Sequence, residues 1–420
     1  MSIYNEDELV APSWINQEYF ANVLQKYENN ENIIIKKLEI SPASKKGDHY
    51  ASIMFRCKVT YNNDNSLEFK QKSLILKTLP DEGMKADLLQ ESKVFETEIS
   101  MYTETLPKIE KILAECGEPT KLAAEIIYHT LQPRKVLIFE DLCELGYDTL
   151  RSRSTTEDEL QMIYRKVAKL HAVSFMLGQT EDHACVTKYD EGIFSSSAIM
   201  KMDYMSQGIF HFIDMLSKHE DLKVYEEKVK ALQPEITEKC KALYNAYKLN
   251  KTQKDIFVLN HGDFHMKNLM FKFNAEQQAE DLIMVDYQIC CYAPLSIDLI
   301  YSQYMMMRPE FRLRRNEFMQ YYFSEFIRVL KKINFKGELP RYSDLQIANL
   351  HYRHFSLFLL STFLPLNHVV LSASEEELKE MNISDYIENG EKTASTYQHP
   401  GYIKELHELL PSLLIEGYLD

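Results

Sequence analysis

The sequence predicts an α+β protein with two lobes, a β-rich N-terminal lobe over residues 1–142 and a mainly helical C-terminal lobe over residues 143–420. β-Branched and alternating apolar runs fill the first third of the chain, and apolar residues repeat at helical spacing in most of the rest. The composition, 45% hydrophobic and 26% charged, is that of a folded protein long enough for two or three domains. With only 12 Gly and 13 Pro, the chain has little room for flexible linkers.

The strands of the N-terminal lobe are predicted where apolar residues are β-branched or alternate with polar ones, over residues 33–40, 52–61, 67–79, 124–128 and 135–139. An Asn-Asn-Asp-Asn turn cluster at 62–65 favours a hairpin between the second and third strands. A helix is predicted over about residues 84–105, because apolar residues recur there at roughly helical spacing.

The C-terminal lobe opens with a helix whose two ends are marked in the sequence. Thr156 and Glu159 form a Thr-x-x-Glu capping box, and the helix is expected to run to about Leu177 and to stop at Gly178. Further mostly helical segments and two short strands are predicted, the helical segments over 195–250 and 294–420 and the strands over 255–259 and 282–286.

The net charge and the cysteines limit which classes of binding partner and which cellular compartment we expect. The chain has 63 Asp and Glu against 48 Lys and Arg, and this net charge of −15 argues against a nucleic acid or an anionic membrane as partner. The seven cysteines are scattered without a C-x-x-C pair, as in a reduced intracellular protein that lacks a cysteine zinc site. No signal-peptide pattern opens the chain, and polar residues interrupt its most apolar stretch, 355–371, which favours a core helix over a membrane span. We therefore expect a cytoplasmic protein, and leave its oligomeric state open.

The most informative segment is residues 261–268, which read His-Gly-Asp-Phe-His-Met-Lys-Asn, an H-x-D-x-x-x-x-N pattern between two short strands. Phosphoryl transfer from ATP needs a carboxylate that accepts the proton of the attacking hydroxyl, here Asp263. It also needs oxygen ligands for Mg²⁺. The candidates are Asn268, which ends the pattern, and Asp286, which ends the next apolar run. The pattern predicts a kinase-like catalytic loop.

The two histidines of this segment allow other interpretations. His261 and His265 are four positions apart, as in some zinc sites, but a third ligand and a helical setting are missing. Within the kinase-like interpretation we include His261 in the catalytic loop, with a ring that hydrogen-bonds backbone and holds the loop in shape.

A lysine and a glutamate of the N-terminal lobe are the candidates for binding the ATP phosphates. Lys77 lies at the end of an apolar strand, where it would reach the α- and β-phosphates. Glu98 on the following helix is its expected partner, and Glu91, seven residues earlier on the same face, is the rival. By itself, a lysine at a strand end is more often only solvated.

Two backbone segments complete the predicted nucleotide site. The loop that ends in Tyr50, Ala51 and Ser52 would cover the phosphates through backbone N–H groups, and the backbone of Glu140 and Leu142 would bind the adenine edge as an interlobe hinge. The alternative for the hinge is a simple acidic turn. The loop has one glycine and no G-x-G-x-x-G, and D-F-G and A-P-E signatures are missing, which argues against a protein kinase.

Together, these motifs resemble the ecdysteroid kinase-like family of arthropods, within the choline-kinase and aminoglycoside-phosphotransferase superfamily. The resemblance covers roughly residues 30–370 and rests on segments that occur in family order, namely 47–52, Lys77, 95–102 with Glu98, 139–142, 168–172, 261–268, 285–288, Pro294 and 296–299. It implies a two-lobed, protein-kinase-like fold that uses ATP and Mg²⁺ to phosphorylate a hydroxyl of a small molecule. By this likeness Asp263 is the base, Asn268 and Asp286 bind Mg²⁺, and Lys77 with Glu98 anchors the phosphates.

The resemblance also implies the class of acceptor, an ecdysteroid or a lipophilic xenobiotic alcohol. Two alternatives stay open: a choline or ethanolamine kinase, and a catalytically idle protein that keeps the fold to bind a hormone. A cluster of Tyr301, Tyr304 and Met305 to Met307 follows the metal-binding turn and would line an apolar acceptor pocket. Ordinary core packing is the other interpretation of this cluster.

Overall fold

The computed structural model describes residues 6–43, 52–63, 68–80, 92–150, 153–195, 199–249, 255–374, 377, 386 and 390–420. Within these residues an antiparallel sheet forms the N-terminal part, and helices dominate the chain after residue 156. The predicted α+β class and two-lobed, kinase-like arrangement are confirmed.

A five-stranded sheet with the order β1-β2-β3-β5-β4 organises the N-terminal lobe, and every neighbouring pair of strands is antiparallel. Its strands are β1 (Ile34–Pro42), β2 (Ile53–Asn62), β3 (Lys70–Thr78), β4 (Ile126–Thr130) and β5 (Val136–Glu140). Helix α1 (Gln17–Glu28) packs on one face through Phe20 and Leu24, which share a core with Phe55 of β2. Burial alternates along most of β2 because successive side chains of a strand point to opposite faces.

The helix after β3 is longer at its C-terminal end than predicted. Helix α2 (Val94–Ser100), a π-helical turn (Met101–Thr105) and α3 (Leu106–Glu115) follow one another without a break. Pro107 does not end the run, because a proline is tolerated in the first turn of a helix. The predicted start, residues 84–91, lies outside the described residues.

The C-terminal lobe is built on helix α4 (Glu157–Leu177), which begins at the predicted capping box. The Thr156 hydroxyl accepts from the Glu159 backbone N–H at 3.3 Å, and the Glu159 carboxylate accepts from the Thr156 N–H at 2.8 Å. The later helices of the described chain are α5 (Ala184–Thr187), α6 (Asp203–Ser206), α7 (Gly208–Lys218), α8 (Glu226–Tyr244), α9 (Ala246–Leu249), α10 (Ser296–Met305), α11 (Pro309–Leu313), α12 (Arg315–Lys332), α13 (Tyr342–His351), α14 (Arg353–Ser361), α15 (Phe363–Ser372), α16 (Gly390–Thr396) and α17 (Pro400–Ile415). Helix α4 packs against α12 at the centre of this lobe.

Two small antiparallel sheets frame the predicted catalytic loop. One has the order β6-β8-β9 and the other pairs β7 with β10. Their strands are β6 (Tyr147–Thr149), β7 (Phe257–Asn260), β8 (Leu269–Phe273), β9 (Ala279–Met284) and β10 (Cys291–Pro294). The sequence did not predict β6 and β10, because three- and four-residue strands carry too few residues for a periodic pattern.

The apolar stretch 355–371 forms two helices, α14 and α15, rather than one. Every residue from His354 to Ser361 is buried, as predicted for a core helix. In the described part of the chain, no single helix has the length and apolar composition to cross a membrane. The pair α14 and α15 meets these two conditions only jointly, and the two helices are bent by 45°.

Candidate active site

Asp263 lies in a tight loop between β7 and β8, and its carboxylate is held by side chains from both sides. Tyr301 of α10 donates its hydroxyl to Oδ1 at 3.0 Å, and Nε2 of His265 lies 3.2 Å from the same oxygen. The Asn268 amide nitrogen donates to Oδ2 at 3.2 Å and to the Asp263 carbonyl at 3.0 Å. The side chain is 21% exposed, so the carboxylate is fixed yet reachable.

These contacts keep Asp263 ionised. Burial by itself raises the pKa of this carboxyl, but the neighbouring His265, His261 and Tyr301 outweigh burial and hold the pKa below its usual range. Asp263 is therefore a poorly basic carboxylate, suited to orienting a hydroxyl and accepting its proton late in a reaction.

Asp298, at the start of α10, holds the backbone of residues 261–268, the predicted catalytic loop. Its carboxylate accepts from the backbone N–H groups of His261 at 2.7 Å and Gly262 at 3.0 Å, and lies 3.1 Å from the ring of His171 on α4. Gly262 adopts φ +84°, and a Cβ there would come within 2.1 Å of the Ile289 carbonyl oxygen, so only glycine fits. No role was predicted for Asp298, and its place in the 296–299 segment was the one sign of it in the sequence.

Replacement of Asp298 by Asn should lower the free energy of unfolding by about 2–3 kcal/mol, because two buried N–H groups share this charged acceptor. Urea unfolding measures the loss, and hydrogen exchange should show faster exchange at residues 261 and 262. Asp255→Asn is the control, since Asp255 accepts one hydrogen bond, from Tyr352. Equal stability loss in both variants would contradict the role of Asp298.

The His261 ring contacts the turn that follows β9. Its Nε2 lies 2.9 Å from the Val285 carbonyl oxygen, and burial lowers the pKa of His261, which favours a neutral ring that donates this bond. Among the described residues, Nδ1 of His261 has no hydrogen-bond partner. His261 therefore links the predicted catalytic loop to the turn that carries Asp286.

Asp286 follows β9 and lies opposite the lysine of the N-terminal lobe. Its Oδ1 accepts from Lys77 Nζ at 2.6 Å, and its Oδ2 accepts from the Gln288 amide at 3.2 Å. The Val285 N–H donates to the Asn268 carbonyl at 3.0 Å, which ties the two predicted metal-binding segments together. Asp286 has φ +67°, a left-handed conformation that Asp adopts more readily than most residues.

Asn268 and Asp286 fit a hard divalent cation such as Mg²⁺. The Asn268 amide nitrogen is directed to Asp263, so its oxygen is the atom left for a metal. Together with the partly exposed Asp286 carboxylate this gives the oxygen donors that Mg²⁺ prefers.

Lys77 of β3 forms a buried ion pair with Glu98 of α2, the glutamate favoured from the sequence. The Nζ–Oε2 distance is 2.6 Å, and the two side chains are 4% and 2% exposed. Burial raises the pKa of Glu98 to about 7, since Lys77 only partly compensates for it and the charge of Asp286 acts in the same direction as burial. The rival Glu91 lies outside the described residues.

The remaining predicted nucleotide contacts are only partly placed. Tyr50 and Ala51 lie outside the described residues, while Ser52 is buried directly before β2. Glu140 ends β5, and its carboxylate accepts a hydrogen bond from the Glu125 backbone N–H at 2.7 Å. Leu142 is buried and begins a short 3₁₀-helix. Asp141 between them accepts from Arg56 Nε at 2.6 Å, which anchors this segment to the sheet.

The two remaining sequence hypotheses concern zinc and the Tyr/Met cluster. Among the described residues, no three His, Cys, Asp or Glu side chains converge as metal ligands, and the His261 ring contacts a backbone carbonyl. Tyr301, Tyr304, Met306 and Met307 of this cluster are buried in the helical core, and their role in an acceptor pocket stays a prediction.

Several solved structures are similar to this chain. Among solved structures, the chain is similar to a spectinomycin phosphotransferase in complex with ADP and spectinomycin, with 12% identity, 95% of this chain and 99% of that chain covered, and a TM-score of 0.41. It is also similar to a choline/ethanolamine kinase family protein from Mesorhizobium loti, with 10% identity, coverages of 88% and 91%, and a TM-score of 0.31. A third similar structure is an ADP-bound aminoglycoside phosphotransferase, with 13% identity, 91% of this chain and 99% of that chain covered, and a TM-score of 0.30.

No curated protein matches the sequence. The ecdysteroid kinase-like family matches residues 46–335, which is more than half of the chain and includes Lys77, Glu98, the catalytic loop and Asp286. By this match, the chain belongs to the ecdysteroid kinase-like family.

Proposed function

We propose that this protein is an ATP- and Mg²⁺-dependent kinase that phosphorylates a hydroxyl group of a small molecule, an ecdysteroid or another lipophilic alcohol. Family membership supports a small-molecule phosphotransferase with a kinase-like fold. The observation that carries the proposal is the convergence of Lys77, Glu98 and Asp286 next to the loop that holds Asp263 and Asn268.

In the proposed reaction, Asp263 orients the acceptor. Its carboxylate accepts a hydrogen bond from the attacking hydroxyl and takes up the proton as the new O–P bond forms. The bond between the γ-phosphorus of ATP and its bridging oxygen breaks in the same step, and ADP leaves. Because the transition state of phosphoryl transfer is loose, the positioning of the hydroxyl matters more than the strength of the base. This agrees with a carboxylate whose pKa is held low.

Lys77 would hold the phosphates of ATP. In the described structure its ammonium group lies between Glu98 and Asp286, and Glu98 fixes its direction. Mg²⁺, when bound, neutralises phosphate charge. Asn268 and Asp286 would hold this ion, and their segments are joined through Val285.

A transfer assay tests the proposal. The purified protein with Mg²⁺ and γ-³²P-labelled ATP is offered 20-hydroxyecdysone, choline, ethanolamine and an untargeted metabolite extract. We expect label on a lipophilic alcohol and none when Mg²⁺ is chelated. Transfer to choline or ethanolamine alone would replace the proposed acceptor class, and a protein that binds an acceptor yet transfers to none would be the idle binding protein.

We also propose a cytoplasmic location. All seven cysteines are free thiols, of which Cys57, Cys240, Cys290 and Cys291 are buried, as expected in a reducing compartment. Fractionation of the cells that express the protein tests this.

A further inference from the structure

Aromatic rings from three separate helices meet beside the Asp263 carboxylate. Tyr301 of α10 donates its hydroxyl to Asp263, and its ring contacts Phe363 of α15 at a centroid distance of 5.8 Å. Phe363 in turn contacts Tyr204 of α6 at 5.5 Å, with the rings nearly perpendicular. We call Tyr204, Tyr301 and Phe363 the aromatic wall. It connects directly to the predicted reacting group.

Two of the three rings of the aromatic wall are less buried than the core behind them, whereas Tyr301 is 2% exposed. Phe363 and Tyr204 are half-buried, whereas Phe358, which contacts Phe363 at 6.4 Å, is 3% exposed. A partly exposed ring that is backed by a buried ring presents a fixed apolar surface. Such a surface beside a few directed polar groups is typical of a small-molecule site.

A buried phenol lies in the aromatic core behind the wall. Tyr244 of α8 is more than nine-tenths buried, and its hydroxyl has no hydrogen-bond partner within the part of the chain that the structure describes. Its ring contacts Phe194 at 5.2 Å, and Phe194 contacts Phe358, the ring behind Phe363, at 5.1 Å. A buried hydroxyl without a partner is costly, and an oxygen of a bound ligand would satisfy it.

We propose that Tyr204, Tyr301 and Phe363 form the acceptor subsite, and that it takes an uncharged alcohol whose apolar body contains rings. This rests on the proposed function, because Asp263 must be the group that receives the acceptor hydroxyl. Rings of the acceptor pack on Phe363 and Tyr204, while Tyr301 holds Asp263 Oδ1 in place for the hydroxyl. The subsite thereby determines which alcohols are accepted, and the carboxylate determines which hydroxyl reacts.

Calorimetric titration in the presence of Mg·ADP tests the subsite without turnover. The probes are 20-hydroxyecdysone and 2-naphthylmethanol as ringed alcohols, and choline as a small cationic alcohol. Phe363→Leu should raise the dissociation constant of a ringed probe about tenfold, because an aromatic contact and its buried area are lost. Phe363→Tyr, which keeps the ring, should restore binding. Phe335→Leu is the matched control, since Phe335 is half-buried on Phe175 at 5.4 Å in the same lobe.

The subsite is refuted if the wild type binds neither ringed probe, or if Phe363→Leu and Phe335→Leu weaken binding equally. It is also refuted if choline binds and Phe363→Leu removes that binding, because the rings then form a cation cage. Failure of the proposed function has a different signature. In that case no alcohol receives phosphate in the transfer assay, while the ringed probes still bind and still respond to Phe363→Leu.

Discussion

Asp263→Asn should lower the rate of phosphoryl transfer by a factor on the order of 10²–10⁴ and leave ATP affinity nearly unchanged. Asparagine has the size of aspartate and keeps one oxygen for Tyr301 or Asn268, but it does not accept the proton of the acceptor hydroxyl. The ground state therefore changes little, while the transition state loses its proton acceptor. Steady-state kinetics gives the loss in kcat, and titration with ATP gives the affinity.

Asp281→Asn is the matched control. Asp281 is also a partly buried carboxylate with a lowered pKa, although burial acts against the shift, and it accepts from Tyr147 at 2.7 Å and Lys166 at 3.0 Å. Its replacement removes a similar set of hydrogen bonds outside the catalytic loop and should leave kcat unchanged. An Asp263→Asn enzyme that keeps the wild-type rate would remove Asp263 from the reaction.

The pH dependence of the rate should not follow the ionisation of Asp263. Because the pKa of Asp263 is held below its usual range, the carboxylate stays ionised at neutral and mildly acidic pH. Any acid limb of the wild-type rate between about pH 5 and 7 must then come from another group. Asp263→Asn should lower the rate by the same factor across this range.

The sequence predicted the lobe order, the five strands of the first sheet and the boundaries of α4 because these elements have strong periodicity or explicit caps. Alternation along β2 and the Thr156 capping box are local features that no distant contact alters. Short β6 and β10 depend on pairing with β8 and β7, which are distant in the chain. Local patterns do not contain that information.

The candidate site likewise contains residues that local sequence patterns predict and residues that only the tertiary structure brings together. Asp263, Asn268 and Asp286 follow from spacing, and Lys77 follows from its place at the end of a strand. The roles of Asp298 and Tyr301 follow from the orientation of α10, since residues three apart lie on one face of a helix. Tyr204 and Phe363 are 159 positions apart and meet only through tertiary packing.

Lys77→Met should abolish transfer and lower the free energy of unfolding by about 3–5 kcal/mol. Among the described residues, the lysine is the cation that Glu98 and Asp286 share, each at 2.6 Å. Its loss leaves a buried carboxylate without compensation. Urea unfolding measures the stability, and the transfer assay measures the activity. Lys77→Arg, which keeps the charge with a different shape, should retain more stability than activity.

The double variant Lys77→Met/Glu98→Leu distinguishes the two roles of the lysine. Apolar side chains of similar size often replace a buried ion pair without loss, so stability should recover while transfer stays absent. The wild type should also lose stability as pH rises from about 4.5 to 7, because the folded state keeps the Glu98 proton that the unfolded chain releases. A pKa of about 7 against 4.5 corresponds to about 3 kcal/mol, and this pH dependence should be missing from the double variant. If the double variant is as unstable as Lys77→Met, the uncompensated charge is not what destabilises the single variant, and the lysine acts through its packing.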